Sequence, residues 1–402
     1  MDYRKLASEQ EEYVIAMRRE FHRYPEVSGK EERTVTRICE ELEKMGIPHV
    51  NVPNGGVFGF LGDEKKGRTV LLRADIDALP GKESPLNGGG KPKATVSEID
   101  GVSHTCGHDC HAAMLLGAAK VLKAKEDEIP GRVILMFERG EEGFAPTGNL
   151  AFLHRWLFDQ KMKIDGSFGI HVFPMMPAGT ISIFNEAAMA GPLGFRVKII
   201  GKTAHGSEPQ VAISPIDCFV AMYSSIQPLR MKYASPFNPM VFSVGQVHAG
   251  GADNIIPGEL SFGGSFRAYN YEDAAQVKEQ LVKVIENTAE MYNCKVEYTI
   301  SGPALGLVND PACSSFAREK FTQYLGDDVL YDVPPLMGSE SHSMTAKIWP
   351  GTFIALGAYN EEKGITARNH HECFDVDEEA LKLGVAAHVC YGLEFLKEGP
   401  DN

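Results

Sequence analysis

The 402-residue chain is expected to be an α/β protein, a mostly parallel sheet covered by helices and interrupted by an inserted ferredoxin-like α+β domain. Three observations point there. Short unbroken apolar runs such as Val133-Ile134-Leu135-Met136-Phe137 read as strands buried on both faces, as parallel strands are. These runs alternate with amphipathic helical stretches. From about Gly191 the order changes to β-α-β-β-α-β, the split unit of ferredoxin-like domains. We therefore place a discontinuous domain at residues 1–190 and 306–402, and the inserted domain at 191–305.

Taken in order, Ser8 and Glu11 have the spacing of a capping box, and Val14, Met17 and Phe21 follow at helical spacing until Pro25. Val35, Ile38, Leu42 and Met45 mark a second helix, ended by Gly46 and Pro48. Residues 57–61 and 69–72 read as buried strands. The second runs into Arg73-Ala74-Asp75-Ile76-Asp77-Ala78-Leu79-Pro80, placing two carboxylates past a strand end, where open α/β sheets carry their sites. The glycine-rich segment 87–93 is expected to be a mobile loop outside the core. A helix over 112–125 follows, with Asp109 at its N-cap position.

The strand 133–137 delivers Glu138-Arg139-Gly140-Glu141-Glu142-Gly143, and the strand 168–172 carries His171 near its end. In the inserted segment, strands are expected near 195–200, 240–248, 259–267 and 295–300, with helices at 214–229 and 272–291. Beyond residue 305 the α/β pattern resumes, with a helix at 311–324, a strand at 352–356 and a helix at 378–395. Between the last two lies Asn369-His370-His371-Glu372-Cys373-Phe374.

Composition narrows the function. A formal charge of −14 argues against nucleic-acid and anionic-membrane partners, which need a positive footprint. No apolar run approaches the roughly 18 residues of a membrane span, and the charged N-terminus has no signal-peptide core. The eight cysteines are scattered rather than dense. A cytoplasmic protein with reduced thiols is expected.

The chemistry centres on Ser103-His104-Thr105-Cys106-Gly107-His108-Asp109. Cys106 and His108 are two apart, so both side chains can meet one ion from an extended backbone. A lone Cys-x-His is ordinarily a buried thiol beside a histidine, and a histidine on an apolar strand is ordinarily a satisfied core residue. Here four segments after buried strands or loops offer Cys106 and His108, Glu141 and Glu142, His171, and His370 or His371. Such sulfur, nitrogen and carboxylate donors suit zinc, manganese, cobalt or nickel. They exceed the needs of one tetrahedral ion, so two are expected. A pair of such ions activates water and polarises a carbonyl, which is hydrolytic chemistry.

In order and wording, the motifs Arg73 to Pro80, Cys106-Gly107-His108-Asp109, Glu141-Glu142-Gly143, Gly169-Ile170-His171-Val172, Gly201-Lys202-Thr203-Ala204-His205 and Asn254-Ile255-Ile256-Pro257 resemble a known family. It is the amidohydrolase branch of the aminoacylase/carboxypeptidase metallopeptidases, which includes hippurate hydrolase, N-acyl-amino-acid amidohydrolases and indole-acetyl-amino-acid hydrolases. Phe21-His22-Arg23-Tyr24-Pro25-Glu26 fits as well, so the resemblance covers nearly the whole chain.

The resemblance implies a hydrolase of an N-acyl amino acid or similar small amide, using two divalent transition-metal ions, manganese or zinc before cobalt or nickel. It implies Cys106 as a ligand shared between the ions, with His108, Glu142, His171 and His370 completing both sites. His370 is preferred to His371 because the family histidine stands four residues before the phenylalanine, here Phe374. Glu141 is implied as the general base and acid. His205 is implied to stabilise the oxyanion across a homodimer formed through the inserted lid domain. Asn254 and Arg267 are implied to hold substrate, and Asp75 and Asp109 to orient ligand histidines. The chain departs from the family at Phe137-Glu138-Arg139-Gly140, at Gly338-Ser339-Glu340-Ser341-His342 and at His371-Glu372-Cys373, positions expected around the pocket. Rival readings are a dipeptidase, an aryl-amide or aromatic-amine C–N hydrolase, and a non-catalytic binding relative. The intact Glu141 argues against the last.

Overall fold

The computed structural model describes residues 1–143 and 150–400. In chain order the longer helices are α1 (Tyr3–Ser8), α2 (Glu11–Arg23), α3 (Glu32–Lys44), α4 (His108–Ala124), α5 (Leu150–Asp159), α6 (Pro215–Ile226), α7 (Tyr271–Met291), α8 (Pro311–Leu325) and α9 (Leu381–Glu398). The longer strands are β1 (His49–Val52), β2 (Gly56–Gly62), β3 (Thr69–Asp75), β4 (Arg132–Glu138), β5 (Gly166–Pro177), β6 (Ile181–Ile183), β7 (Gly191–Ile200), β8 (Met240–Ala249), β9 (Glu259–Ala268), β10 (Lys295–Ser301) and β11 (Gly351–Tyr359). The chain divides into two compact units. One holds Met1–Glu186, Asn309–Pro334 and Met344–Asn402, the other Ala187–Val308 and Pro335–Ser343.

The first unit is a seven-stranded sheet in the order β1-β2-β4-β3-β5-β11-β6. Its centre, β4-β3-β5-β11, is parallel, and the flanking pairs are antiparallel. The apolar runs are unbroken because successive side chains feed opposite faces. Val70 and Leu72 enter one hydrophobic cluster while Leu71 enters another, and Val133, Leu135 and Phe137 oppose Ile134 and Met136 in the same way. Burying each such side chain contributes roughly 1.5–3 kcal/mol. Strands covered on both sides leave their ends as the places where polar groups can gather. In register, Asp75 lies opposite Glu138, so the exits of β3 and β4 are side by side.

The second unit is a four-stranded antiparallel sheet, β8-β9-β7-β10, built from the β-α-β-β-α-β order. Alternate residues Leu193, Phe195, Val197 and Ile199 face a core shared with Cys218, Met222 and Ile226 of α6 and Val277, Leu281 and Ile285 of α7. Ser214 caps α6 by accepting from the Asp217 N–H, with Pro215 in its first turn, and Asn270 caps α7 by accepting from the Asp273 N–H.

Three local expectations differ from the structure. The capping box at Ser8 and Glu11 is not made, because Ser8 closes the separate helix α1, whose own cap is Asp2. Helix α4 begins at His108 with Gly107 at its N-cap, so Asp109 lies in the first turn and leaves the capping position. The loop 87–93, expected to be mobile, is pinned. Asn87 is buried, its Oδ1 accepts the N–H groups of Gly89 and Lys91, and its Nδ2 donates to the Lys363 carbonyl at 3.0 Å. Among the described residues no helix is long and apolar enough to cross a membrane.

Candidate metal centre

Five of the expected ligands meet in the first unit. Cys106 and His108 flank the start of α4, and Gly107 between them has φ +96°. A Cβ there would stand 2.3 Å from Val172 Cγ2, so glycine is required both by conformation and by space. Glu141 and Glu142 follow β4, His171 lies within β5, and His370 arrives on the segment after β11. One ligand atom each from Cys106, His108 and His171 lies within 4.8 Å of the others, and the same holds for Cys106, Glu142 and His370. Cys106 therefore belongs to two three-donor groups. His108, Glu141 and Glu142 form a third group by the same measure.

The contacts are specific. His171 Nε2 is 3.5 Å from Cys106 Sγ, His370 Nε2 is 3.3 Å from it, and His370 Nε2 is 3.1 Å from Glu142 Oε1. His171 Nδ1 donates to the Val172 carbonyl at 2.9 Å, which leaves Nε2 as its lone-pair nitrogen. His108 Nδ1 lies 3.0 Å from Asp77 Oδ1, and its buried Nε2 has no hydrogen-bond partner among the described residues. His371 is set aside, since its Nδ1 accepts from the Cys373 N–H at 3.0 Å.

His111 is close but spoken for. Its Nδ1 bonds Asp75 Oδ1, and its Nε2 accepts from the Val172 N–H at 2.9 Å. The group formed by Asp75, His108 and His111 thus lacks a free imidazole nitrogen on His111.

His370 has φ +66°, a conformation that side chains other than glycine seldom adopt. Two bonds hold it there: its N–H donates to the Thr105 carbonyl at 2.7 Å, and Asn369 Nδ2 donates to the Cys106 carbonyl at 3.0 Å. Strain of this kind persists only where the surroundings enforce it.

The donors' protonation is uneven: Glu142 and His171 are held in the ligating state, while Cys106 and His108 hold protons that an ion would displace. Burial pushes the Cys106 thiol well above its usual range, with His108 opposing. Against the cost of burial, the bond to His370 and the His108 charge hold Glu142 down to about 2. Burial opposes a charge on His108, yet the Asp75 carboxylate and Cys106 hold its ring well above the ordinary value. Burial, and then His111, pushes His171 well below it, so His171 is the neutral imidazole that ligation needs. A thiol, three imidazoles and a carboxylate, two of the imidazoles fixed from behind through Nδ1, form a donor set that fits divalent transition metals.

The carboxylates behind the site are not the expected ones. Asp75 was expected to orient a ligand histidine; its Oδ1 instead holds His111, and its Oδ2 pairs with Arg73 at 2.9 Å and lies 3.6 Å from His108 Nε2. Asp109 was expected in the same role and instead bonds Arg18 at 2.9 Å and His22 at 2.8 Å, because the first turn of α4 aims it at α2. Asp77 does the orienting. It takes His108 on Oδ1, and on Oδ2 it accepts from the Glu142 N–H at 2.9 Å and the Ser28 hydroxyl at 2.6 Å. Its position one alternation beyond Asp75, on the same side of an extended backbone, was the available signal.

Of the departures, Arg139 and Gly140 form a buried clamp. Glu31 accepts from Arg139 Nε at 2.8 Å and from the Gly140 N–H at 2.8 Å, and Arg73 Nε donates to Glu138 at 2.8 Å. These bonds fix the turn that presents Glu141 and Glu142. The segment 338–342 lies in the second unit, where Glu340 Oε1 accepts from the His342 N–H at 3.0 Å.

The remaining expected residues belong to the second unit. His205, exposed, is in a short ladder with Ile255, and its Nδ1 accepts from the Ser207 N–H at 3.2 Å, which places the ring proton on Nε2 in the neutral form. The Asn254 carbonyl accepts from the Gly206 N–H at 2.8 Å. Arg267, on β9, donates to the Met337 carbonyl at 3.0 Å.

The chain is similar to known proteins along most of its length. The family described as peptidase family M20/M25/M40 matches residues 71–393. Thermostable carboxypeptidase 1 of Saccharolobus solfataricus is 32% identical over 390 residues, 96% of this chain and 96% of that protein. IAA-amino acid hydrolase ILR1-like 4 of Arabidopsis thaliana is 33% identical over 392 residues, 96% of this chain and 86% of that protein. Among solved structures, the Bacillus subtilis YXEP protein, described as a dinuclear metal binding peptidase from the M20 family, superposes with a TM-score of 0.78 at 28% identity, covering 97% of this chain and 99% of that one.

Proposed function

The chain belongs to peptidase family M20/M25/M40, and from that premise we propose how its residues cleave an amide bond. It is a metal-dependent amidohydrolase acting on an N-acyl amino acid or similar small amide. The observation that carries the reading is the pair of three-donor groups sharing Cys106, with the Glu141 carboxylate beside them.

In this reading Cys106, His108, Glu142, His171 and His370 hold two divalent transition-metal ions, manganese or zinc before cobalt or nickel. Bound there, such ions lower the pKa of water and polarise the scissile carbonyl. Glu141 takes the proton from the attacking water and hands it to the departing amine. Asp77 keeps His108 in the tautomer that presents Nε2 to the site. His205, with its proton on Nε2, donates to the oxyanion of the tetrahedral intermediate, and in a homodimer built through the inserted domain it serves the partner subunit. Asn254 and Arg267 bind substrate, the guanidinium through a carboxylate. A dipeptide or an aryl amide is the rival substrate for the same machinery.

Metal analysis beside a panel of N-acetyl and N-benzoyl amino acids, dipeptides and aryl amides tests the reading. Release of an acid and an amine from an N-acyl amino acid supports it. Failure to cleave any amide by a metal-loaded preparation sinks it.

A further inference from the structure

The loop 83–97 and the segment bearing His370 are joined by a buried ion pair that none of the motifs predicts. Lys93 Nζ donates to Glu83 Oε1 at 2.9 Å and to the Glu372 carbonyl at 3.0 Å. The two charged side chains are 1% and 4% exposed, so neither is a surface group. The Glu372 carbonyl also accepts from the Ser84 N–H at 2.9 Å. Two donors on one carbonyl, two residues past His370, fix the far side of the strained turn that Thr105 and Cys106 fix on the near side.

Glu83 has a second line of contact. Its Oε1 bonds His22 Nε2 at 2.9 Å, its Oε2 accepts from the Ser97 N–H at 2.7 Å, and His22 Nδ1 bonds Asp109 at 2.8 Å. Asp109 follows His108 in the first turn of α4. One buried carboxylate thus reaches both ligand-bearing segments: the helix start through His22 and Asp109, and the His370 turn through Lys93.

We propose that Lys93 and Glu83 are positioning residues for the metal centre: the buried pair braces the Glu372 carbonyl and so holds His370 in its left-handed conformation against Cys106 and Glu142. The proposal rests on the assignment of His370 as a ligand. Neither residue touches the donors themselves. The cost of a φ of +66° at His370 falls on the brace, and without Lys93 the turn can relax and withdraw the imidazole. Partners one layer behind a ligand commonly change metal affinity 10–100-fold.

The test titrates the full-length, chelator-stripped protein with Co²⁺, followed by visible absorption, with thermal unfolding recorded in parallel. Wild type should take two equivalents, and His370→Ala should lose one of them. Lys93→Met should bind one equivalent within about threefold of wild type and the other about 10–100-fold more weakly. Glu83→Gln, which keeps an amide oxygen for His22 but removes the charge that holds Lys93, should weaken the same equivalent by clearly more than the other. A purely structural role would lower the unfolding temperature and weaken both equivalents together, and that outcome overturns the proposal. So does wild-type binding of both equivalents by the folded variants. If Lys93→Met does not fold, the isosteric Glu83→Gln decides. Should wild type take up no Co²⁺, or His370→Ala still bind both equivalents, the ligand assignment fails and the brace falls with it. A failure confined to the Lys93 and Glu83 variants leaves the assignment standing.

Discussion

Asp77 Oδ1 stands 3.0 Å from His108 Nδ1, and its other oxygen accepts the Glu142 N–H. One carboxylate thereby fixes the ring of one proposed ligand and the backbone of another. Asp77→Asn should lower metal affinity about 10–100-fold while the chain still folds, because an amide can hold the backbone bond but orients the imidazole less firmly. Metal titration of the variant, with circular dichroism to confirm folding, measures this.

Glu141→Gln removes the proton carrier and leaves the five proposed ligands in place. Turnover should fall by about 10²–10⁴ with metal content unchanged. Turnover at the wild-type rate would remove Glu141 from the mechanism.

Gly107→Ala meets both a φ of +96° and Val172 Cγ2 at 2.3 Å. Overpacking and backbone strain together should cost about 2–4 kcal/mol. Adding Val172→Ala should recover the steric part alone. Denaturant unfolding of the single and double variants separates the two contributions.

Glu83 sets an acid limb of stability. Burial raises its pKa, but bonds from His22, Lys93 and Ser97 prevail and hold it at about 2, against 4.5 for a free glutamate. A group depressed in the fold contributes stability in full above 4.5 and loses it as the pH falls from there towards 2. Glu83→Gln should therefore unfold more easily at neutral pH, and the gap from wild type should narrow between pH 4.5 and 2. A gap independent of pH over that window would contradict the assignment.

The chain's strands were legible, and so were five candidate donors as motifs: Cys106 and His108 at the start of α4, Glu142 after β4, His171 within β5 and His370 on the segment after β11. What was not legible depended on distant partners. Asp75 and Asp77 share one side of the backbone, and only the docking of α4 decides that His108 meets Asp77 while His111 meets Asp75. Asp109 looked like a cap until Arg18 and His22 of α2 claimed it. The glycines of the 87–93 loop suggested mobility, yet Asn87 imitates a backbone turn and Lys93 is buried against Glu83. Local pattern carries none of these long-range bonds.

The measurement closest to the central claim counts bound metal and hydrolysis together. The chain is stripped with a chelator, reloaded stepwise with Mn²⁺ or Zn²⁺, and assayed on an N-acyl amino acid at each step. Activity that is absent from the stripped chain and rises to its maximum as bound metal approaches two ions per chain is the predicted result. Full hydrolysis by the metal-free chain would contradict it.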